Sequence, residues 1–124
     1  MHIKFYSFID GQKVFLEGQA IKINDFIGIK DEENKGYILY KINNHTCQFK
    51  RTGLANMELE FDLSKDTIGH YCNNLGLEFN LVVKTKRLEL SDEKIIIEYD
   101  YYLDTEYQQT VKLYLITKNG LEKV

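Results

Sequence analysis

The 124-residue sequence predicts an all-β protein, a single antiparallel meander β-barrel of about eight to ten short strands. Three observations carry that expectation. Apolar side chains recur at every second position, most clearly between Thr46 and Thr85. Turn-forming residues interrupt the pattern at short, regular intervals. Nine tyrosines, seven phenylalanines and no proline suit pleated, half-buried strands.

The alternation fixes faces, because successive side chains on a strand point to opposite sides. Cys47, Phe49 and Arg51 share one face, opposite Thr46, Gln48 and Lys50. Met57, Leu59 and Phe61 oppose Glu58, Glu60 and Asp62. Leu77, Phe79, Leu81, Val83 and Thr85 oppose Glu78, Asn80, Val82 and Lys84. A helix would place apolar residues three and four apart instead.

In chain order, His2 to Asp10 reads as a first strand, and Asp10-Gly11 as a two-residue hairpin turn. Val14 to Ile23 returns, with Gly18 marking a bulge or bend. Asn24-Asp25 turns into a short strand, Phe26 to Lys30, and Asp31 to Gly36 is a charged loop. Tyr37 to Ile42, Thr46 to Arg51, Ala55 to Phe61 and Thr67 to Tyr71 follow as strands. Leu77 to Thr85, Lys94 to Tyr102 and Tyr107 to Lys118 complete the set, with an irregular stretch at Arg87 to Leu90. The barrel domain thus spans 1–118, and 119–124 reads as a frayed polar tail. A barrel is preferred to an open meander because closure removes exposed edges.

Bulk properties exclude several functions. The formal net charge of -3 does not make the basic surface that general nucleic-acid binding needs. No apolar run approaches the ~18 residues of a membrane-spanning helix, and Met1-His2-Ile3-Lys4 is too polar to open a signal peptide. These features predict a cytoplasmic protein, with Cys47 and Cys72 as free thiols.

The order of features resembles the YwiB-like family, a domain-of-unknown-function group of small bacterial proteins. The resemblance rests on Ser7 to Gln12, Arg51-Thr52-Gly53, Met57 to Phe61, Tyr71 with Gly76, Ile95 to Tyr99, and Leu115-Ile116-Thr117. Asn73-Asn74 stands where the family has a proline, and the region from Asp25 to Gly36 is shorter. The resemblance implies a lipocalin-like, calycin-type barrel with no settled activity; fold analogy alone supplies no function.

No catalytic motif is present: no nucleophile elbow and no phosphate loop. His45 with Cys47 and His70 with Cys72 offer a set that zinc accepts, but not in zinc-knuckle spacing. Turn histidines and small buried thiols are the preferred reading, so no metal and no cofactor are expected. Arg51 is the most informative polar residue. A charge facing a core needs a partner. The preferred reading makes it a plug at one barrel end, bonded to carbonyls and stacked on Tyr6 or Tyr71. The other reading pairs it with an anionic group of a ligand. Tyr71, Tyr99 and Tyr101 join Arg51 as candidate ligand-binding residues, since tyrosine combines an apolar body with a polar tip. The expected function is non-enzymatic binding of a small apolar or amphipathic ligand by a monomer or homodimer. The alternative is a filled barrel acting through its outer surface as a structural or protein-interaction module.

Overall fold

The computed structural model describes residues 1–9 and 11–118, which form eleven strands. They are β1 (His2–Ile9), β2 (Gln12–Gln19), β3 (Ile21–Ile23), β4 (Phe26–Asp31), β5 (Gly36–Asn43) and β6 (Thr46–Arg51). β7 (Asn56–Phe61), β8 (Thr67–Cys72), β9 (Glu78–Leu90), β10 (Lys94–Leu103) and β11 (Glu106–Lys118) follow. Asp10 of the first expected turn and the expected tail at 119–124 lie outside the described residues. Among the described residues, no helix is long and apolar enough to cross a membrane.

All strands belong to one antiparallel sheet, in the order β2-β1-β11-β10-β9-β8-β7-β6-β5-β4-β3. The two ends of that order, β2 and β3, are joined through the single residue Ala20. One long stretch of chain thus pairs first with β1 and then, past a bend, with β4. This nearly closes the sheet into a barrel. It also explains why eleven strands appear where the sequence predicts eight to ten: the expected second strand divides at Ala20.

Tight turns set the registers. Ile23 faces Phe26 across Asn24-Asp25, Asn43 faces Thr46 across Asn44-His45, and Leu103 faces Glu106 across Asp104-Thr105. Asn24, Asn44 and Asp104 take positive φ, as two-residue hairpin loops require and as these side chains tolerate.

The irregular stretch at Arg87 to Leu90 is the far half of β9. Lys86 is an extra residue: Glu98 pairs with Arg87, and Tyr99 with Thr85. Before this bulge the inward residues are odd-numbered, Leu81 and Val83; beyond it Leu88 and Leu90 pack on the core. The bulge switches the phase of alternation, and a strict period of two therefore fails there.

The inward faces make one continuous core. Phe5 stacks near Phe49 at 6.1 Å, Phe49 lies 6.4 Å from Phe61, and Phe61 4.8 Å from Tyr99. With Ile3, Ile29, Ile38, Cys47, Val83 and Ile97, these rings fill one part of the barrel. Fully burying each large side chain contributes about 1.5–3 kcal/mol relative to exposure.

Near the other end, the loop after β4 is latched to the loop after β6. Asn34 Nδ2 donates to the carbonyls of Thr52 (2.9 Å) and Ala55 (2.8 Å), while its Oδ1 accepts from the Ala55 N–H at 3.0 Å. The Leu54 N–H bonds the Asn34 carbonyl at 2.7 Å. The two loops approach so closely that a Cβ on Gly36 would overlap the Thr52 carbonyl, and one on Gly53 the Asn34 carbonyl. Gly53 also has φ +132, a conformation that L side chains rarely adopt.

Asn34→Ala removes three hydrogen bonds to main-chain groups and is expected to cost about 2–4 kcal/mol. Asn34→Asp keeps the acceptor but turns an oxygen toward two carbonyls, so it should be at least as costly. Urea melts of the two variants check this; parent-like midpoints for both would refute the latch.

Candidate functional site

Arg51 is the last residue of β6, and its register places it opposite Ile38 of β5 and Met57 of β7. Its Cα therefore lies on the inward face with Cys47 and Phe49, as the alternation predicts. Its partner differs from the expected one. Nε donates to Asp31 Oδ2 at 3.0 Å, and Asp31 Oδ1 accepts the Asn34 N–H at 3.3 Å. Tyr6 lies on the outer face against Phe15 (4.8 Å), and Tyr71 stacks near Phe79 (6.2 Å) rather than on the guanidinium. Asp31 is only 1% exposed, whereas the Arg51 side chain is 42% exposed. The pair is thus lopsided: a sunken carboxylate held by a cation whose far end is open. Among the described residues, no hydrogen bond engages the two terminal guanidinium nitrogens of Arg51.

Arg51 lines a cavity of about 390 Å³ in the barrel mouth. Arg51, Tyr71, Tyr99 and Tyr101 all line it, so the fold gathers the four sequence candidates into one place. Met57 and Phe79 flank Tyr71 on neighbouring strands. Ile9, Leu81, Leu103 and Val111 supply much of the remaining apolar wall. A second hollow of about 130 Å³ shares Ile9, Arg51, Met57, Tyr99 and Val111 and runs toward Val14 and Leu16 of β2.

Each tyrosine has its own setting. Tyr99, at 4% exposed, sits where the mouth meets the packed aromatic core. Burial, reinforced by Tyr101, raises its phenol pKa well above the ordinary value, so it stays a neutral donor. The Tyr101 hydroxyl accepts from Gln109 Nε2 at 2.6 Å, while Gln109 Oε1 is buried without a partner among the described residues. Tyr71 is half-buried at the rim.

Among the described residues, no histidine, cysteine or carboxylate lines this cavity. Glu58 and Glu60 border a hollow on the outer wall with Lys50 and His70. The two histidine–cysteine pairs do not converge. His45 is in an exposed turn and Cys47 faces inward; β7 separates them from His70 and Cys72 on β8. No group of three or more potential metal ligands is found among the described residues.

Asp31 and Asn34 are the functional neighbours that sequence reasoning missed. For Asp31 a signal existed: Ile27, Ile29 and Asp31 continue the same alternation that marked Arg51. Reading Asp31 as the start of a charged loop hid it. Asn34 sits in that loop with no periodic mark.

Fold and site together define a class: a single-sheet antiparallel barrel, packed in one part and open at a mouth that carries one arginine among tyrosines. Within that class, the chain belongs to the family described as a domain of unknown function, DUF1934, which residues 10–116 match. The YwiB-like resemblance read from the sequence therefore holds. The chain is also similar to the crystal structure of ywiB protein from Bacillus subtilis, with a TM-score of 0.55 and 20% identity. That match covers 95% of this chain and 89% of the other, and at such identity it speaks for the fold alone. Comparison with curated protein sequences found no match.

Two outcomes are expected here. Arg51→Ala strands the Asp31 carboxylate and should cost about 2–4 kcal/mol, whereas Lys50→Ala on the outer face should stay within about 0.5 kcal/mol. Arg51→Lys should recover only part, since an ammonium lacks the planar fork. Denaturant melts of the three decide; a parent-like Arg51→Ala would show that the pair carries no stability. Separately, burial pushes the Cys47 thiol up to about 12, so it stays protonated and unreactive through pH 8. A native protein should therefore yield one alkylated cysteine, Cys72, and an unfolded one two; mass spectrometry showing Cys47 modified first would contradict this.

Proposed function

We propose that the protein is a non-enzymatic binder of a small apolar or amphipathic molecule, taken into the barrel mouth with its hydrogen-bond acceptor toward Arg51. One observation carries the reading: an apolar cavity of about 390 Å³ is lined by Arg51, whose terminal nitrogens lack a partner among the described residues. Ligand pockets commonly run about 300–1,000 Å³, mostly apolar with a few placed polar groups. Tyr99 and Tyr101 line the same cavity as Arg51, and Tyr71 with Phe79 forms an aromatic rim. Asp31 offsets the charge of Arg51 through Nε and, among the described residues, leaves its terminal donors free. A carbonyl, carboxylate or sulfonate oxygen suits those donors, and an ammonium does not. Among the described residues, no histidine, cysteine or carboxylate lines the walls, which favours binding over turnover. Two unpaired thiols and an acidic balance accord with a cytoplasmic setting.

Anilinonaphthalene sulfonate, an apolar body with one anionic group, is a suitable probe. Its fluorescence should rise on binding with one site per chain, and decanoate should displace it more effectively than decylamine. Leu103→Trp, which fills the mouth without touching the Asp31 pair, should abolish the signal. Arg51→Lys should weaken binding by about tenfold, the scale of a charged hydrogen bond. No saturable binding up to about 1 mM, weaker than any specific site of this size should be, would refute the proposal.

A further inference from the structure

Among the described residues, no strand pairs with the outer edge of β2 over most of its length. β2 pairs with β1 alone, in unbroken register from His2 opposite Gln19 to Ile9 opposite Gln12. Ile21 of β3 faces Gly28 of β4. Carried back through Ala20, that register sets Gly18 level with Asp31, where β4 ends. Gln12 to Glu17 thus overhang the barrel wall. Val14 (47% exposed) and Phe15 (40% exposed) both stand in this overhang.

The parity of the edge follows from one bond. The Ala20 N–H donates to the Met1 carbonyl at 2.8 Å. Even-numbered residues of β2 therefore turn their main-chain groups to β1, and Lys13, Phe15 and Glu17 turn theirs outward. The side chains of these three lie on the outer face. Phe15 packs on Tyr6, Lys13 Nζ stands 5.6 Å from the Tyr6 ring, and Glu17 meets His2 at 2.8 Å. Val14 and Leu16 face the smaller interior hollow.

We propose that Lys13 to Glu17 pairs antiparallel with the same segment of a second copy, about a two-fold axis at Phe15. This register sets Lys13 opposite Glu17, Val14 opposite Leu16, and Phe15 opposite its own copy. The odd-numbered pairs are those with free main-chain groups, so they exchange about six N–H···O bonds. Opposite charges meet twice, as the two-fold symmetry of an isologous interface demands. Shifting the axis to Lys13 or to Glu17 would face like charges, and shifting it to Val14 or Leu16 would set a charge against Phe15. The segment is thus self-complementary in one register only. The occupant of the free edge is a second copy of this chain, and the two barrels form one continuous sheet.

Sedimentation equilibrium over about 1–100 µM tests the pairing, the range in which a modest interface would show. The parent should approach twice the 14.6 kDa chain mass. Lys13→Glu and Glu17→Lys should each weaken the dimer about tenfold, because each creates two like-charge pairs. The double variant Lys13→Glu/Glu17→Lys should return to within about threefold of the parent. Phe15→Pro removes an N–H that points away from β1, so it should abolish the dimer while the circular dichroism spectrum stays that of the parent. A parent that is monomeric throughout overturns the proposal. So does a dimer indifferent to Phe15→Pro, or one that the double variant fails to restore. If Phe15→Pro does not fold, the three charge variants decide alone.

Discussion

The buried carboxylate of Asp31 is the constraint around which the barrel mouth is arranged. It lies where water does not reach, and isolating such a charge costs several kcal/mol. Arg51 from β6 offsets that charge from one side, and the Asn34 N–H bonds the same carboxylate from the loop beyond. Asn34 then uses its side chain to hold Thr52 and Ala55. Strands β4 and β6, which are not neighbours in the sheet, are thereby tied across β5. These ties hold one side of the rim, and Arg51 keeps its aim because Nε is already committed to Asp31.

Packing and opening divide the interior between them. The aromatic series from Phe5 to Tyr99 fills space that would otherwise be continuous with the mouth. Tyr99 is the border residue: its ring belongs to the core, while its side chain also lines both interior hollows. A tyrosine suits this position because an apolar ring and a polar tip can serve two environments at once.

Much of the fold was legible because a half-buried strand writes its geometry as a period of two. That rule located the faces of β6, β7 and β9, and it singled out Arg51 as a charge on the wrong side. Tyr71, Tyr99 and Tyr101 came into consideration through the chemistry of their side chains rather than through that rule. Legibility ended where something other than local alternation decides the outcome. The bulge at Lys86 inverts the pattern at Arg87 to Leu90, and a bulge leaves no necessary mark in composition. The bend at Ala20 divides one apparent strand between two partners, which is a property of the closed sheet. Asp31 was visible in principle, as the third member of Ile27, Ile29 and Asp31. The Asn34 bonds were not, because they reach about twenty residues along the chain to carbonyls that any residue could present.

The ladders also differ in how far apart their strands lie in the chain. Among the described residues, every ladder joins consecutive strands except one: β1 meets β11, with His2 opposite Lys118 and Ile9 opposite Val111. The hairpins are local contacts and carry small loop-closure entropies, whereas this single ladder draws together nearly the whole length of chain. Ile9 and Val111 are also walls of the mouth. The cavity is therefore incomplete in any partly assembled sheet and comes into being with the most non-local contact of the fold. A molecule that occupied it would stabilise the ring selectively over every open precursor, drawing its grip from the ladder with the greatest entropic cost.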